Sequence, residues 1–195
     1  GRYPIVSRWK PDTFYVGASI YDFMPWVLNG STEPPANPLA ISQPSFRAQD
    51  LDNIGLGTGR HMSTFEMMAH HVFNSKKEIY WKEETVQYCF DWIKTLGIDP
   101  KLVVFKESWW EGGGNAGPCF EVIVKGNEIA TLVFMEYTGP VNGNYEKMQI
   151  RVVDTGYGLE RHVWGSHGTR TIYDAVYPEL IDWLSKKANY KPNNK

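Results

Sequence analysis

The chain has 195 residues, of which 42% are hydrophobic and 22% charged, and its net charge is −2 at pH 7. This balance is typical of a globular protein and gives no overall electrostatic reason to bind a polyanion. No apolar run approaches the roughly 18 residues that a membrane helix requires, and the N-terminus lacks a signal-peptide pattern. We therefore expect one soluble domain, residues 1–195, in the cytoplasm.

The first half of the chain predicts short strands joined by polar turns. Residues 13–21 have a β-leaning composition. Residues 39–47, LAISQPSFR, predict a strand that Pro44 confines to a sheet edge or a bulge. Residues 49–59 are rich in Asp, Asn and Gly and predict a long turn. The next run, RHMSTFEMMAHHVF at residues 60–73, fits either a strand or a helix.

Residues 80–97, YWKEETVQYCFDWIKTLG, form the clearest predicted helix. Apolar residues recur in it near helical spacing, acids open it and Gly97 closes it. A short strand is expected next, at residues 102–107. The segment WWEGGGNAGP, at residues 109–118, then predicts a glycine-rich loop.

The last third of the chain predicts a hairpin, a strand and further helices. CFEVIVKGNEIATLVFMEY, at residues 119–137, combines two runs of high β-propensity with a turn at Gly126-Asn127. MQIRVVD predicts another strand, followed by a helix from about Gly158 and a second over residues 171–188, which Pro178 can break. Hairpin-like strands with helices before and after them predict an α+β fold with a mostly antiparallel β-sheet flanked by helices.

The stretch DTGYGLER runs from a predicted strand into a predicted helix. Gly156 and Gly158 let a ligand approach the backbone where free helix N–H groups favour an anion. Arg161 lies about one turn into the helix and can reach the same place as a phosphate ligand. Asp154 could bind a cation such as an ammonium. On the motif alone, a surface turn with solvated charges at Glu160 and Arg161 is the simpler interpretation.

Two further pairs suggest a ligand site. Arg47 leaves one predicted strand and Phe65 enters the next, so they can grip a nucleotide by phosphate pairing and ring stacking. An ordinary hairpin with a core phenylalanine fits these two residues equally well. Trp109 and Trp110 stand beside three glycines, which suggests a loop packed around something small; a flexible surface loop is the alternative.

The sequence has no metal-site or nucleophile signature. Cys89 and Cys119 lie far apart without Cys/His ligand spacing, so neither a zinc site nor a disulfide framework is indicated. The adjacent His70 and His71 point to different faces of a strand or helix and cannot easily share one ion, so we expect core or surface histidines. GxSxG, HExxH and Walker motifs are also absent from the sequence.

Together these pieces resemble, in order, the catalytic core of the archaeal alanyl-tRNA synthetases, a family of class II aminoacyl-tRNA synthetases. The resemblance covers most of the chain from about Pro4 to Val176. It runs through NPLAISQPSFRAQDLDNIG, TGRHMSTFEMMAHHVF, KEIYWKEETV, WWEGGGNAGPCFEV, ATLVFMEY and VDTGYGLERHVW. So many long matches in register are more specific than any single motif. The family implies an antiparallel sheet flanked by helices, with motif 2 at residues 40–70 and motif 3 at about 148–165.

The resemblance implies a set of ATP-binding residues. Arg47 matches the motif 2 arginine that holds the α-phosphate and the alanine carboxylate, and Phe65 matches the aromatic residue that stacks on adenine. Arg60 and His61 lie where the family contacts the terminal phosphates, and Arg161 matches the motif 3 arginine on the γ-phosphate side. The predicted catalytic residues are Arg47 and Arg161. The predicted ATP-binding residues are Arg47, Arg60, His61, Phe65, Gly156, Gly158 and Arg161.

The resemblance also implies an alanine site. Asp154 matches the acid that binds the amino group of alanine, and Arg47 and Gly156 complete the site. Val133 and Trp110 match the walls of the small amino-acid pocket, with Trp109 as the alternative by one position. A pocket for one methyl group separates close analogues only modestly, so some misactivation of glycine and serine is expected.

Two positions depart from the family pattern. Gln49 lies where many class II motif 2 sequences carry an acid. Glu136 stands where the family would have glutamine, in FMEY instead of FMQY. It could change the charge of the pocket or serve as a magnesium ligand, and it is the predicted metal residue.

The implied activity is formation of alanyl-adenylate and pyrophosphate from L-alanine and ATP with Mg²⁺, followed by transfer of alanine to tRNA(Ala). The chain begins where motif 1 of the family would already be under way. The family's tRNA-recognition, editing and oligomerising regions have no counterpart in it, so we expect weak tRNA charging and either a monomer or a dimer. Two alternatives stay open: a stand-alone ligase that uses another acceptor, and a non-catalytic module that binds an amino acid or nucleotide.

Overall fold

A six-stranded antiparallel sheet forms the centre of the fold. The computed structural model describes residues 2–8, 11, 13–49, 51–54, 59–141 and 143–190. The strands are β1 (Leu39–Phe46), β2 (Thr64–Asn74), β3 (Val103–Gly112), β4 (Asn115–Val124), β5 (Asn127–Val141) and β6 (Asn144–Gly158). Their order across the sheet is β1-β2-β6-β5-β4-β3, and all neighbours are antiparallel. The predicted α+β fold with an antiparallel sheet flanked by helices is confirmed.

The helices of the described residues flank this sheet. They are α1 (Lys82–Thr95), α2 (Leu159–His167), α3 (Ile172–Val176) and α4 (Pro178–Lys187), with 3₁₀ helices at Ser19–Asp22, Leu51–Asn53 and Pro100–Leu102. The clearest predicted helix is α1: the Glu84 carboxylate accepts a hydrogen bond from the N–H of Trp81 before its first turn, and Gly97 with φ +73° follows its end. In the described part of the chain, no helix combines the length and apolar character needed to cross a membrane.

The first two strands resolve two predictions. Pro44 lies in β1, at one edge of the sheet, where its missing N–H costs no hydrogen bond to a further strand. The ambiguous run before residue 74 is the strand β2, which lies between β1 and β6. It buries Val72 on one face and His71 and Phe73 on the other, as a strand covered on both faces requires. Residue 50 and residues 55–58 of the predicted long turn lie outside the described residues.

The predicted glycine-rich loop at residues 109–118 is wrong. These residues form the ends of β3 and β4, and only Gly113 and Gly114 make the turn. Their φ angles of +58° and +79° are those that a tight hairpin turn demands. Gly117 lies within β4, opposite Trp110, where an added Cβ would meet the Phe134 carbonyl oxygen at 1.9 Å. The glycines therefore serve a turn and a close strand approach.

The next hairpin also differs slightly from its prediction. Lys125 and Gly126 make the turn between β4 and β5, with φ angles of +50° and +79°. The turn thus lies one residue before the predicted Gly126-Asn127. Asn127 already begins β5.

The sheet buries a different hydrophobic cluster on each face. One face, which we call the α1 face, packs under Cys89 and Ile93 of α1. Its strand residues include Val72, Val122, Leu132, Phe134 and Val153. The opposite face, which we call the cavity face, packs against residues 20–28. Its strand residues include Phe73, Cys119, Val133, Met135 and Val152. Because neighbours on a strand alternate between the faces, a residue's position along its strand decides which face it serves. Both cysteines are free and buried.

Candidate active site

A cavity of about 370 Å³ opens on the cavity face of the sheet. It lies where the end of β1, the start of β2, the first half of β5 and the β6–α2 junction meet. It brings together all the residues predicted to bind ATP or alanine: Arg47, Arg60, His61, Phe65, Trp110, Val133, Asp154, Gly156, Gly158 and Arg161. These residues span more than a hundred positions of sequence, so only the sheet topology makes them neighbours.

The junction of β6 and α2 builds one side of the cavity. Asp154, Gly156 and Gly158 occupy alternate positions of β6 and all line the cavity. The next residue begins α2, and Arg161 lies in its first turn. An added Cβ at Gly156 would lie 3.1 Å from the Met67 sulfur, so glycine keeps this wall thin. The junction therefore combines exposed backbone with a cationic side chain.

Carbonyl groups anchor Arg161 in place. Nη1 donates to the Glu128 carbonyl at 2.7 Å, and Nη2 donates to the Arg60 carbonyl at 2.8 Å. The carboxylate of Glu160 accepts hydrogen bonds from the backbone N–H of Glu66. Glu160 and Arg161 are therefore not the freely solvated surface charges that the simpler interpretation of DTGYGLER required.

Arg47 and Phe65 form the opposite wall. Nε of Arg47 donates to the Gly17 carbonyl at 2.9 Å, which fixes the side chain. Its guanidinium carbon lies 5.1 Å from the centroid of the Phe65 ring. A planar cation held over a ring at this distance is a cation–π contact. The pair presents a guanidinium and an aromatic ring to one space, the two groups that grip a phosphate and a base.

Asp154 carries the buried carboxyl group of the cavity. The residue is 8% exposed, and burial raises the pKa of its carboxyl to about 8, although the positive charge of Arg47 acts in the opposite direction. Oδ1 of Asp154 lies 3.4 Å from Nδ1 of His71, which is completely buried beside it. A cation bound in the cavity would favour the ionised carboxylate, because an opposite charge at short range lowers a carboxyl pKa.

Strand alternation places the two tryptophans on opposite faces of the sheet. Trp110 lines the cavity, whereas Trp109 lies on the other face of β3. Trp109 is 46% exposed and packs against the rings of Tyr137 and Tyr145. Val133 lies directly across from Asp154 in the β5–β6 register, so an apolar wall adjoins the carboxyl group.

Sequence reasoning missed several residues of the cavity. Glu128 and Glu160 bring two further carboxylates to it, and Oε2 of Glu128 lies 3.8 Å from Nη1 of Arg161. The sequence could have indicated Glu128, because it is an acidic residue at the start of a strand that is otherwise largely apolar. Small or apolar residues complete the lining: Ala18, Ile20, Tyr21, Ile54, Met62, Met67, Ile129, Ala130, Thr131, Thr155 and Ile172.

Glu136 lies elsewhere. It does not line the cavity, and its Oε1 is 3.7 Å from Nζ of Lys82 at the start of α1. Its strand neighbour Phe134 belongs to the cluster on the α1 face, and Glu136 shares that face two residues later. The magnesium role predicted for it gains no support from this position and stays a prediction.

Comparison with known proteins places the sequence in a family. A family model described as tRNA synthetases class II (A) matches residues 1–195. The chain is 52% identical over 192 residues to an alanine–tRNA ligase of Methanothermobacter thermautotrophicus, covering 97% of this chain and 21% of that protein. It is 57% identical over 183 residues to an alanine–tRNA ligase of Pyrobaculum aerophilum, covering 93% and 20%. The chain thus spans about a fifth of the length of the curated relatives it matches.

Among solved structures, a pyrrolysyl-tRNA synthetase from Desulfitobacterium hafniense is similar with a TM-score of 0.46 and 16% identity, over 78% of this chain and 49% of that chain. This likeness is too distant to carry an argument, and the family rests on the sequence matches. From the match along its whole length and the high identity to these relatives, the chain belongs to the class II tRNA synthetase family.

Proposed function

We propose that this chain activates L-alanine with ATP, giving alanyl-adenylate and pyrophosphate, as the catalytic core of an alanyl-tRNA synthetase. One observation carries the proposal: a single cavity joins the buried carboxyl of Asp154 to the guanidinium groups of Arg47 and Arg161. An amino acid has a cationic and an anionic end, and ATP adds a chain of phosphates. The cavity offers a carboxyl group for the cationic end and guanidinium groups for the anionic end and the phosphates.

Each residue has a role in the reaction. Asp154 binds the alanine ammonium, and Val133 with Trp110 encloses the methyl group. Arg47 holds the alanine carboxylate against the α-phosphate while Phe65 stacks on adenine. A carboxylate oxygen attacks the α-phosphorus, a new O–P bond forms, and the bond to pyrophosphate breaks with its electrons leaving on the pyrophosphate oxygen. Positioning and charge neutralisation supply the catalysis, so no protein nucleophile is required.

Arg60, His61 and Arg161 would contact the outer phosphates, and Gly156 and Gly158 would leave room at the backbone. Mg²⁺ would neutralise charge on the phosphates. The donor set fits it: Glu128 and Glu160 supply carboxylate oxygens to the cavity, and Mg²⁺ commonly takes one or two carboxylates with phosphate oxygens and water. A fully protein-built cage is not needed, and the described residues contain no group of three or more ligating side chains.

The acceptor is the second part of the proposal. We propose transfer to tRNA(Ala) in the cytoplasm, because relatives that are 52% and 57% identical to this chain are named alanine–tRNA ligases. Charging by this chain alone should be weak, since it spans about a fifth of those proteins. A different acceptor is the alternative within enzymes. Comparing adenylate consumption with and without tRNA(Ala) transcript separates the two.

The first experiment is exchange of labelled pyrophosphate into ATP with alanine, glycine and serine. Arg47→Ala should lower alanine-dependent exchange at least about 100-fold, the scale of losing a group that stabilises transition-state charge. Arg151→Ala is the matched control, because Arg151 pairs with Glu78 and covers Trp81 outside the cavity. Exchange that favours alanine and disappears only in the cavity variant supports the proposal. Folded protein that binds ATP yet exchanges with no amino acid favours a non-catalytic binding module.

A further inference from the structure

His71 and Ser19 form a buried pair behind Asp154. His71 is fully buried on β2, and Ser19 begins a 3₁₀ helix that covers the cavity face. Ser19 Oγ lies 2.7 Å from Nε2 of His71, and the other ring nitrogen, Nδ1, lies 3.4 Å from Oδ1 of Asp154. The imidazole thus bridges a serine and the carboxyl group at the cavity floor.

The order Ser–His–Asp resembles a hydrolase triad, but its placement excludes that chemistry. Ser19 is 1% exposed and does not line the cavity, although its neighbours Ala18 and Ile20 do. Its oxygen lies on the side of the imidazole away from Asp154. A substrate in the cavity reaches Asp154 first and cannot reach the serine, so the pair must act through the carboxyl group.

The surroundings of His71 determine its state. The rings of Phe23 and Phe73 pack against it, and burial lowers the pKa of the imidazole to about 3, so it is neutral. A neutral imidazole carries one proton. The carboxyl oxygen of Asp154 favours that proton on Nδ1, which leaves Nε2 to accept from the Ser19 hydroxyl.

Among the described residues Nδ1 of His71 has no hydrogen-bond partner, although it is buried. A buried donor without a partner is costly, and catalytic hydrogen bonds are often long until a substrate is bound. A bound ammonium would ionise Asp154 and strengthen it as an acceptor for Nδ1–H. We propose that His71, held by Ser19, is a positioning residue that donates a hydrogen bond to Asp154 and orients the carboxylate toward the alanine ammonium without adding a positive charge.

This inference rests on the proposed alanine site and explains why a neutral donor is used there. A lysine or arginine in the same place would pair with Asp154 permanently and would repel the ammonium. A neutral imidazole instead fixes the direction of the carboxylate and leaves its charge for the substrate. The serine suits this arrangement, because its hydroxyl can donate to Nε2 while Nδ1 carries the proton, and it holds the ring in place.

Three variants test the inference by alanine titration calorimetry and by pyrophosphate exchange. His71→Phe keeps a ring but removes both nitrogens; it should weaken alanine binding and raise the alanine KM about 10-fold or more, while the ATP KM changes less than about twofold. His71→Asn offers an amide N–H near the position of Nδ1 and should restore most of the loss. His70→Phe is the matched control, because the adjacent His70 bonds to Tyr80 and Tyr157 on the α1 face; it should leave the alanine KM unchanged.

The outcomes separate the two proposals. Wild-type protein that binds no alanine would overturn both the alanine site and the role of His71. Wild-type activity with equal alanine KM values in His71→Phe and His70→Phe would overturn only the role of His71. If His71→Phe does not fold, ¹⁵N NMR of the wild-type imidazole still decides: a proton on Nδ1 is expected with alanine bound, and a proton on Nε2 would overturn the inference.

Discussion

The carboxyl group of Asp154 links substrate binding to stability. Its pKa is raised by burial from 3.8 to about 8 in the folded protein. Between these two values the folded protein retains a proton that the unfolded chain has released. Raising the pH through this window therefore lowers the free energy of unfolding. The contribution that the protonated Asp154 makes to stability is fully lost above about pH 8. The empty site is most stable in acid and least stable where the carboxylate is ready for a cation.

Asp154→Asn should consequently stabilise the protein while removing the activity. An amide has no charge to bury, so we expect the Tm to rise by about 4 °C or more at pH 9, with the difference shrinking as the pH falls toward 4. Alanine-dependent exchange should be lost at every pH. Thermal unfolding followed by circular dichroism from pH 4 to 9 makes the measurement. A stability difference that grows on acidification would contradict the assignment.

Val133 should determine how well alanine is separated from serine. Its side chain lines the cavity, and its Cα is paired with that of Asp154 across the strands. Val133→Ala enlarges the methyl pocket, so the ratio of serine to alanine exchange should rise about 10-fold, the scale of one lost methyl or methylene contact. Val124→Ala is the control, because it makes the same truncation in the cluster on the α1 face. An unchanged ratio in Val133→Ala would place the amino-acid side chain elsewhere.

At the scale of elements, the β3–β4 hairpin positions Trp110 through its register. Gly114 has φ +79° and open space around it, so a side chain added there would meet no neighbour but would force the backbone into a strained conformation. Gly114→Ala should cost about 1 kcal/mol and lower the Tm by about 2–4 °C. Gly165→Ala is the opposite control, because Gly165 lies inside α2 with its nearest neighbour 3.9 Å away; it should raise the Tm. Thermal unfolding of both variants makes the measurement. Equal Tm shifts in the same direction would contradict the prediction.

The elements also mark how far the sequence could predict the fold. The helix α1 was predictable because its period, its acidic start and Gly97 agree. The hairpin at residues 109–118 was not predictable, because a glycine-rich sequence fits a loop, a two-residue turn and a tight contact between strands equally well. Only the pairing of Trp110 with Gly117 distinguishes these cases, and pairing is a long-range property. The same limit left β2 ambiguous until its two neighbours were known.

At the scale of the whole molecule, the cavity joins residues from both halves of the chain, so ligands should stabilise the entire fold. A nonreactive sulfamoyl analogue of alanyl-adenylate at 100 times its Kd should add about 2.7 kcal/mol and raise the Tm by about 5–10 °C. The glycyl analogue should give a smaller shift at the same concentration. Differential scanning calorimetry measures both. A transition that splits in two, with only one part shifted, would contradict a single cooperative unit.

The candidate site was predictable from motifs where a charge, an aromatic ring or a pair of glycines stood out locally. Arg47, Phe65 and Asp154 stood out in this way, and all line the cavity. Glu128 and His71 did not, because their importance comes from what the fold places beside them. His71 was expected to be a core or surface histidine; it is buried, and its position behind Asp154 depends on the pairing of β2 with β6.

The alternation along β6 has a practical meaning for anyone who wishes to redesign this protein. Asp154 and Gly156 line the cavity. Thr155 also contributes to the lining, but its hydroxyl is held by hydrogen bonds to the His70 backbone, and Tyr157 packs in the cluster on the α1 face. Randomising the codons for residues 154, 156 and 158 should therefore vary substrate preference. Randomising the codons for residues 155 and 157 should mainly vary the stability of the fold. Two separate libraries over five consecutive codons would vary these properties almost independently.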